Sequence, residues 1–307
     1  MERVLITGAN GHLGQRLLLR LRGSGSGGGS AAACALVRSP AAAEAVRGLT
    51  DADACKVVDY QDVDGLARAA QGFDAIVHLV GILKETSRSR YTEAHESTCY
   101  ALARAAEKAG IRRIVYLSIL GASPSARNTC LKSKGRAEAI LLERDVPATV
   151  IRLPMVLGPG DYASRALRAQ AMTGVLPLVR GGATREQPID SEDVTTAVLR
   201  AVGRTGAPAE ALDLAGPESL SHRDLVLRAA GLLGRQPRIV KVPLRLARMA
   251  AFVAERLLAN PPLTRAMLEV LEHDDDIDPG PACRALGLKL TPLDETLRRC
   301  VLPETSA

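Results

Sequence analysis

The stretch Thr7-Gly8-Ala9-Asn10-Gly11-His12-Leu13-Gly14 limits what this chain can fold into more than any other. It follows a short run of β-branched residues and leucine, Arg3–Thr7, and it opens a helical pattern over Leu13–Leu21. At such a strand-to-helix junction each glycine has its own task. Gly8 permits a tight turn, Gly11 lets a backbone approach a pyrophosphate, and Gly14 lets the helix pack close to the sheet. Free N–H groups and the helix dipole then favour an anion at the helix start. Gly8, Asn10, Gly11, His12, Leu13 and Gly14 are therefore the first candidates for a nucleotide-binding loop.

The pattern downstream supports this context. Strand runs Cys34–Val37, Lys56–Val58, Ala75–Val80, Ile114–Leu117 and Ala148–Arg152 alternate with helical patterns Ala41–Leu49, Val63–Ala70, Tyr91–Ala109 and Cys130–Leu142. The run Ala75–Val80 is almost wholly apolar, as a parallel strand covered on both faces should be. The repeated β-α rhythm predicts an α/β fold with a doubly wound parallel sheet. It breaks after Arg152. Two further strand-helix units follow near Gln187–Val202 and Leu212–Leu233, the second with a capping box at Ser221–Asp224. From Leu244 on the pattern is mostly helical. The expected division is a dinucleotide-binding domain over 1–155 and a smaller, mostly helical lobe over 156–307 interleaved with it. The run Gly23–Ser30 has the composition of a flexible loop.

Composition removes other classes. The 307 residues carry 40 Lys and Arg against 34 Asp and Glu, interspersed, and only two Phe, five Tyr and no Trp. Stacking platforms for single-stranded nucleic acid need more aromatics than that, so no nucleic-acid partner is expected. The six cysteines form no CxxC pair and the five histidines show no ligand spacing. That argues against a metal site and for reduced thiols in a cytoplasmic protein. No apolar run reaches the ~18 residues of a membrane span. The segment Leu244–Leu258 is basic and amphipathic, which suits core packing, a lid, or peripheral contact with the inner face of a membrane.

The TGxxGxxG spacing resembles the short-chain dehydrogenases/reductases of the extended and atypical kind, a Rossmann fold. The resemblance continues in His78–Gly81, Tyr116–Ala122, Ile151–Asp161, Arg185–Val194 and Asp213–Leu225. The last of these resembles the branch holding the NADPH-binding accessory subunit of respiratory complex I and its bacterial relatives, some linked to ubiquinone synthesis. The resemblance implies a nucleotide cofactor lined by Leu79, Val80, Gly81 and Pro154. It also implies an acid at Asp59-Tyr60 near the adenine, and an active-site Ser118. Contact with a respiratory complex through Leu244–Leu258 would follow from the same branch.

Two positions decide the chemistry expected of such a protein. At the end of the second strand an acid selects NAD(H) by holding the ribose 2′-hydroxyl, whereas Arg accommodates a 2′-phosphate. Here Arg38-Ser39 stands there and the first acid is Glu44, so NADP(H) is favoured over NAD(H). In the family, hydride transfer uses a Tyr one helical turn before a Lys. Lys134 aligns with the Lys, but the Tyr position holds Cys130, and no tyrosine in the chain has a Lys four residues on. Ser118, Cys130 and Lys134 are thus the candidate catalytic residues, with Lys134 also a ribose ligand. Two functions remain open on these grounds. One is an NADPH-dependent oxidoreductase acting on a carbonyl or quinone-related compound. The other is a non-catalytic NADPH-binding sensor or respiratory-complex assembly protein. A sugar-nucleotide epimerase or dehydratase is a weaker third, since it too needs the missing Tyr.

Overall fold

The computed structural model describes residues 2–23, 33–49, 54–86, 89–204, 206–258, 261 and 264–302. The glycine-serine run falls largely outside them. The chain forms two compact units, Met1–Arg152 with Thr195–Leu212, and Leu153–Val194 with Asp213–Ala307.

The first unit is built from β1 (Val4–Thr7), α1 (His12–Gly23), β2 (Ala33–Val37), α2 (Pro40–Glu44), β3 (Cys55–Val57), α3 (Val63–Ala70), β4 (Ala75–His78), α4 (Thr98–Ala109), β5 (Arg113–Ile119), α5 (Thr129–Leu142) and β6 (Ala148–Leu153). The sheet has seven strands in the order Glu210–Asp213, β6, β5, β4, β1, β2, β3. The chain thus works outward from β1 in one direction and returns to β4 for the other. That reversal makes the doubly wound topology, and ligands of such sheets bind outside the carboxyl ends of the strands at the reversal. Here the reversal lies between β1 and β4, where Thr7 pairs in parallel register with Leu36 on one side and His78 on the other. Within the span 156–307, read from sequence as a lobe interleaved with the first domain, Thr195–Leu212 groups with the first unit, and Glu210–Asp213 lies beside β6 at the sheet edge.

Burial explains the strand composition. All four residues of β1 and of β4 are buried, as are six of the seven in β5. Leu5, Ile76, Leu102, Ile114, Leu141 and Val150 share one core cluster with the alanines of α3 and α4. Small residues on those helices let them pack closely against each other and the sheet. Asp62 caps α3 by accepting from Gly65 N, and Asn128 caps α5 by accepting from Cys130 N and Leu131 N. Such caps satisfy backbone donors that the first turn leaves without partners.

Two expectations need amending. The helix anticipated over Tyr91–Ala109 begins as a π-helical stretch, Thr92–Ser97, before α4 takes over. The wider turn goes with the Thr98 hydroxyl donating back to Ala94 O at 2.8 Å and His95 O at 3.3 Å. Such bulges re-aim side chains and are frequent at functional sites. The helix anticipated over Ala41–Leu49 is only Pro40–Glu44.

The second unit is mostly helical, with three two-stranded sheets. Val175–Val179 pairs in parallel with Arg238–Val242, and Val156–Leu157 with Ile189–Asp190. Arg185–Glu186 runs antiparallel to Leu220–Ser221. Ser221 caps the following helix by accepting from Asp224 N at 3.0 Å, and the Asp224 carboxylate returns to the Ser221 hydroxyl, accepting from it at 2.6 Å, in place of the backbone N–H that the expected capping box would use. Asp190 is buried but satisfied, since Thr296 Oγ1 and Arg299 Nη2 donate to it at 2.7 and 2.8 Å.

Candidate functional site

The glycine loop is shaped by contacts that leave no room for side chains. Gly8 has a left-handed φ of 71°, and a Cβ there would lie 3.2 Å from the Leu79 backbone carbon. The turn is thereby seated against the chain leaving β4. A Cβ on Gly14 would lie 2.6 Å from Ala9 O, inside any real contact, so Gly14 holds α1 close to its own loop. Gly11 differs. Its φ is ordinary and a Cβ would meet only Gly8 O, at 3.2 Å. Gly11 is exposed, and beyond that one oxygen of its own turn nothing among the described residues would lie within 4 Å, so a pyrophosphate can approach the backbone. The first turn of α1 carries no acidic residue to repel an anion. Asn10 and His12 are exposed, and Leu13 is half-buried. The Asn10 carbonyl accepts from Gln15 Nε2 at 2.9 Å and His12 Nε2 accepts from Arg16 Nε at 3.1 Å.

Tyr60 has a role that spacing could not reveal. Its buried hydroxyl donates to Leu36 O at 2.7 Å and accepts from Gly8 N at 2.8 Å. It ties the glycine turn to the end of β2, and burial pushes its phenol up to about 12. Asp59 is exposed, and its carboxylate accepts from Gln61 N at 3.0 Å. Arg38 stands exposed at the end of β2, and among the described residues no hydrogen bond or ion pair holds its guanidinium. It is close enough to Tyr60 to act on that phenol electrostatically. Ser39 caps α2, accepting from Ala42 N at 3.2 Å.

Below the ends of β4 and β5 lies a buried cationic cluster. Lys134 Nζ on α5 donates to the Tyr116 hydroxyl at 2.9 Å and to Leu117 O at 3.0 Å, and it sits 4.5 Å from the Tyr116 ring centroid. His78 stacks on Tyr116, the ring centroids 5.4 Å apart, and its Nδ1 lies 2.6 Å from Thr7 Oγ1. His95 Nε2 lies 3.1 Å from both the nitrogen and the oxygen of Ile82. Burial lowers Lys134 to about 8, so its ammonium persists at neutral pH. Burial, and then the Lys134 charge, holds both His78 and His95 down to about 3, so both are neutral.

The structure brings Cys130 and Lys134 to one face of α5, as four-residue spacing requires. Cys130 is wholly buried, and its Sγ donates to Ile82 O at 3.7 Å. Burial pushes its thiol up to about 11, outweighing the pull of Lys134. It is therefore a protonated thiol enclosed by the Tyr91–Ile82 region, unlike the exposed, low-pKa thiols that react. Ser118 is buried at the end of β5, and among the described residues its Oγ has no hydrogen-bond partner. Leu79 and Val80 are half-buried beside Gly8, and Gly81 is exposed with Lys134 Nζ 2.9 Å from where its Cβ would be. Pro154 lies in the second unit.

A dinucleotide fits what the first unit offers. It has an exposed backbone approach at Gly11 and, among the described residues, a cation at Arg38 and a buried Ser118 hydroxyl that no other side chain or backbone group engages. Sequence reasoning missed the Tyr116–Lys134 pair, the stacked His78 and the hydroxyl bridge of Tyr60. One signal was present: His78 interrupts the apolar run of β4, and a polar residue there must find buried partners. Among the described residues no group of His, Cys, Asp and Glu could hold a metal ion.

Comparison with known proteins agrees with this geometry. The sequence model of the family described as NAD(P)H-binding matches residues 8–204. The chain is 30% identical over 199 residues to the mitochondrial NADH dehydrogenase [ubiquinone] 1 alpha subcomplex subunit 9 of Arabidopsis thaliana, covering 63% of this chain and 49% of that one. It thus spans about half the length of that relative. It is 27% identical over 243 residues to the ceramide reductase of Caulobacter vibrioides, covering 78% of this chain and 73% of that one. In fold it is similar to a nucleoside-diphosphate-sugar epimerase from Pseudomonas aeruginosa, with a TM-score of 0.71, 22% identity, and 98% and 96% of the two chains covered.

Two outcomes follow from the site. Gly11→Val is expected to cost less thermal stability than Gly14→Val while lowering NADPH affinity at least about tenfold, since the added methyls occupy the phosphate approach. Gly14→Val is expected to lower the melting temperature as well. Fluorescence titration beside a thermal melt separates the two. The second outcome is acid sensitivity. The folded pKa of His78 and of His95 lies below the unfolded value of 6.5. The unfolded state therefore takes up these protons first as pH falls. Their contribution is whole above pH 6.5 and is lost toward pH 3, by about 1.4 kcal/mol per pH unit for each histidine. Urea midpoints measured across that window should fall, and His78→Gln should flatten the slope.

Proposed function

The chain belongs to the NAD(P)H-binding family, and on that premise we propose that it is an NADPH-dependent reductase of a quinone-related acceptor. The nucleotide part rests on Arg38, the exposed guanidinium at the end of β2, after which the first acid in sequence is Glu44. A guanidinium reads a 2′-phosphate by paired, charge-assisted hydrogen bonds, and a hydroxyl gives it far less. Ser39 stands next to it with a hydroxyl able to donate. Gly8, Gly11 and Gly14 with the start of α1 would hold the pyrophosphate. Lys134, next to Gly81, would hold the nicotinamide ribose.

The observation that carries the acceptor class is the enclosure of Cys130. When bound, the nicotinamide supplies a hydride. Hydride addition to a simple ketone leaves an alkoxide, about as basic as hydroxide, and so demands a positioned acid. The family's Tyr is that acid. Here its position holds a buried thiol raised to about 11 that already donates to Ile82 O. Tyr116 cannot replace it, being wholly buried and pushed well above the ordinary phenol range. A quinone makes a smaller demand. Hydride reaches its carbonyl system, the ring becomes aromatic, and the product is a phenolate whose conjugate acid ionises near 10, as a tyrosine phenol does. Water can supply that proton. A site with its nucleotide loop complete and its acid replaced therefore suits an acceptor whose reduced form needs no buried acid. The ceramide reductase relative is a precedent for reductase activity in a similar chain.

The same enclosure supports a second reading, a nucleotide-binding protein without turnover, and the relative named as a respiratory-complex subunit fits it. Two measurements decide. Arg38→Ala is expected to weaken NADPH binding by about 1.5–3 kcal/mol and NADH binding hardly at all. Equal losses would remove Arg38 as the reader of the 2′-phosphate. NADPH oxidation is expected with short-chain quinones and not with aliphatic ketones. Cys130→Ala should leave quinone turnover within about twofold, whereas loss of a general acid costs about 10²–10⁴. Absence of turnover with every quinone, while NADPH still binds, would establish the second reading.

A further inference from the structure

The helix Leu244–Leu257 in the second unit is built the wrong way round for a core helix. Its buried residues are Ala247 and Ala251, two small side chains. Its large apolar residues point outward, with Leu246 53%, Met249 59%, Val253 46% and Leu257 77% exposed. At roughly 100° per residue, these four fall within an arc of about 80°. Arg245 and Arg256 border the stripe on one side, and Arg256 lies 4.9 Å over the exposed Phe252 ring. Leu258, the extended residue that follows the helix, is also exposed. Solvation alone does not favour four adjacent large apolar side chains in water. Burying one such side chain is worth about 1.5–3 kcal/mol elsewhere in a protein, and contiguous exposed stripes of this kind mark contact surfaces.

Charge identifies what the surface fits. Residues 238–258 hold five basic side chains, Arg238, Lys241, Arg245, Arg248 and Arg256, against one acid, Glu255. That net of four positive charges compares with six for the whole chain. The strand before the helix adds to it. Lys241 lines a cleft of about 630 Å³ together with Arg180 and Arg223. Among the described residues, Lys241 and Arg223 have no ion-pair partner, while Arg180 pairs with Glu272 at 3.4 Å. An apolar stripe edged by arginines, with a basic cleft near its start, matches a surface that is apolar below and anionic above.

We propose that this face docks the protein on an anionic lipid bilayer. The helix lies in the headgroup plane, Leu246, Met249, Val253 and Leu257 enter the acyl boundary, and the arginines meet lipid phosphates. No helix among the described residues is long and apolar enough to cross a membrane, so the attachment is peripheral and reversible. The inference uses only the second unit and does not rest on the nucleotide reading.

Sedimentation of the full chain with vesicles tests it. Binding is expected to phosphatidylcholine mixed with phosphatidylglycerol, and at least about tenfold weaker binding to phosphatidylcholine alone, with salt weakening the former. Arg245→Gln with Arg256→Gln should cost about 30-fold, at about fivefold for each charge removed. Leu246→Ser with Leu257→Ser should lose binding to both vesicles. All four positions are exposed, so melting temperature and NADPH affinity should match the parent. If the leucine variant unfolds, the arginine variant decides alone. Binding to neither vesicle, or parental binding by the arginine variant, overturns the proposal. So does a concentration-dependent dimer that the leucine changes abolish, which would make the face an interface between copies.

Discussion

The first unit depends on the close approach of the Gly8 turn to the chain leaving β4. The two strands run side by side in register, so their carboxyl ends emerge together, and the turn must pass within van der Waals distance of Leu79 and Val80. Only a residue without Cβ can take a left-handed φ there. The Tyr60 hydroxyl then anchors Gly8 N to Leu36 O, and Gly14 brings α1 down on Ala9. Loop position, helix direction and the open backbone at Gly11 all follow from that one contact.

A second constraint is electrostatic. Lys134 is buried, and a buried ammonium is costly unless its donors are satisfied. The Tyr116 hydroxyl, Leu117 O and the ring of Tyr116 supply partners. Burial, reinforced by the same cation, keeps the neighbouring histidines neutral. Lys134 is therefore a fixed positive charge below the cofactor loop, held by β5 and not by the one-turn partner on its own helix.

Much of this was legible beforehand. The sheet, its parallel strands and the glycine loop follow from local pattern, because strand burial on both faces and a tight strand-to-helix turn each impose residue types at fixed spacing. Arg38 and the absence of a nearby acid could be read the same way. Strand Glu210–Asp213 could not, because its place beside β6 is a long-range pairing with no local signature. The π-helical stretch was likewise invisible, since Thr92–Ser97 has an ordinary helical composition. The segment Leu244–Leu257 was visible as amphipathic, but periodicity cannot say which face is covered.

Sequence alone determined the class of fold, the glycine-rich turn after β1, the Cys one helical turn before Lys134 and the Arg at the end of β2. Each is a matter of residue identity at a position set by its near neighbours. Tertiary structure decided what those residues touch. It gave Tyr60 to the Gly8 turn, Tyr116 to Lys134, and Ile82 to the Cys130 thiol. It also turned the alanines of the last long helix inward and its leucines outward. Burial and partnership are properties of chain segments far apart in sequence, so no local pattern encodes them.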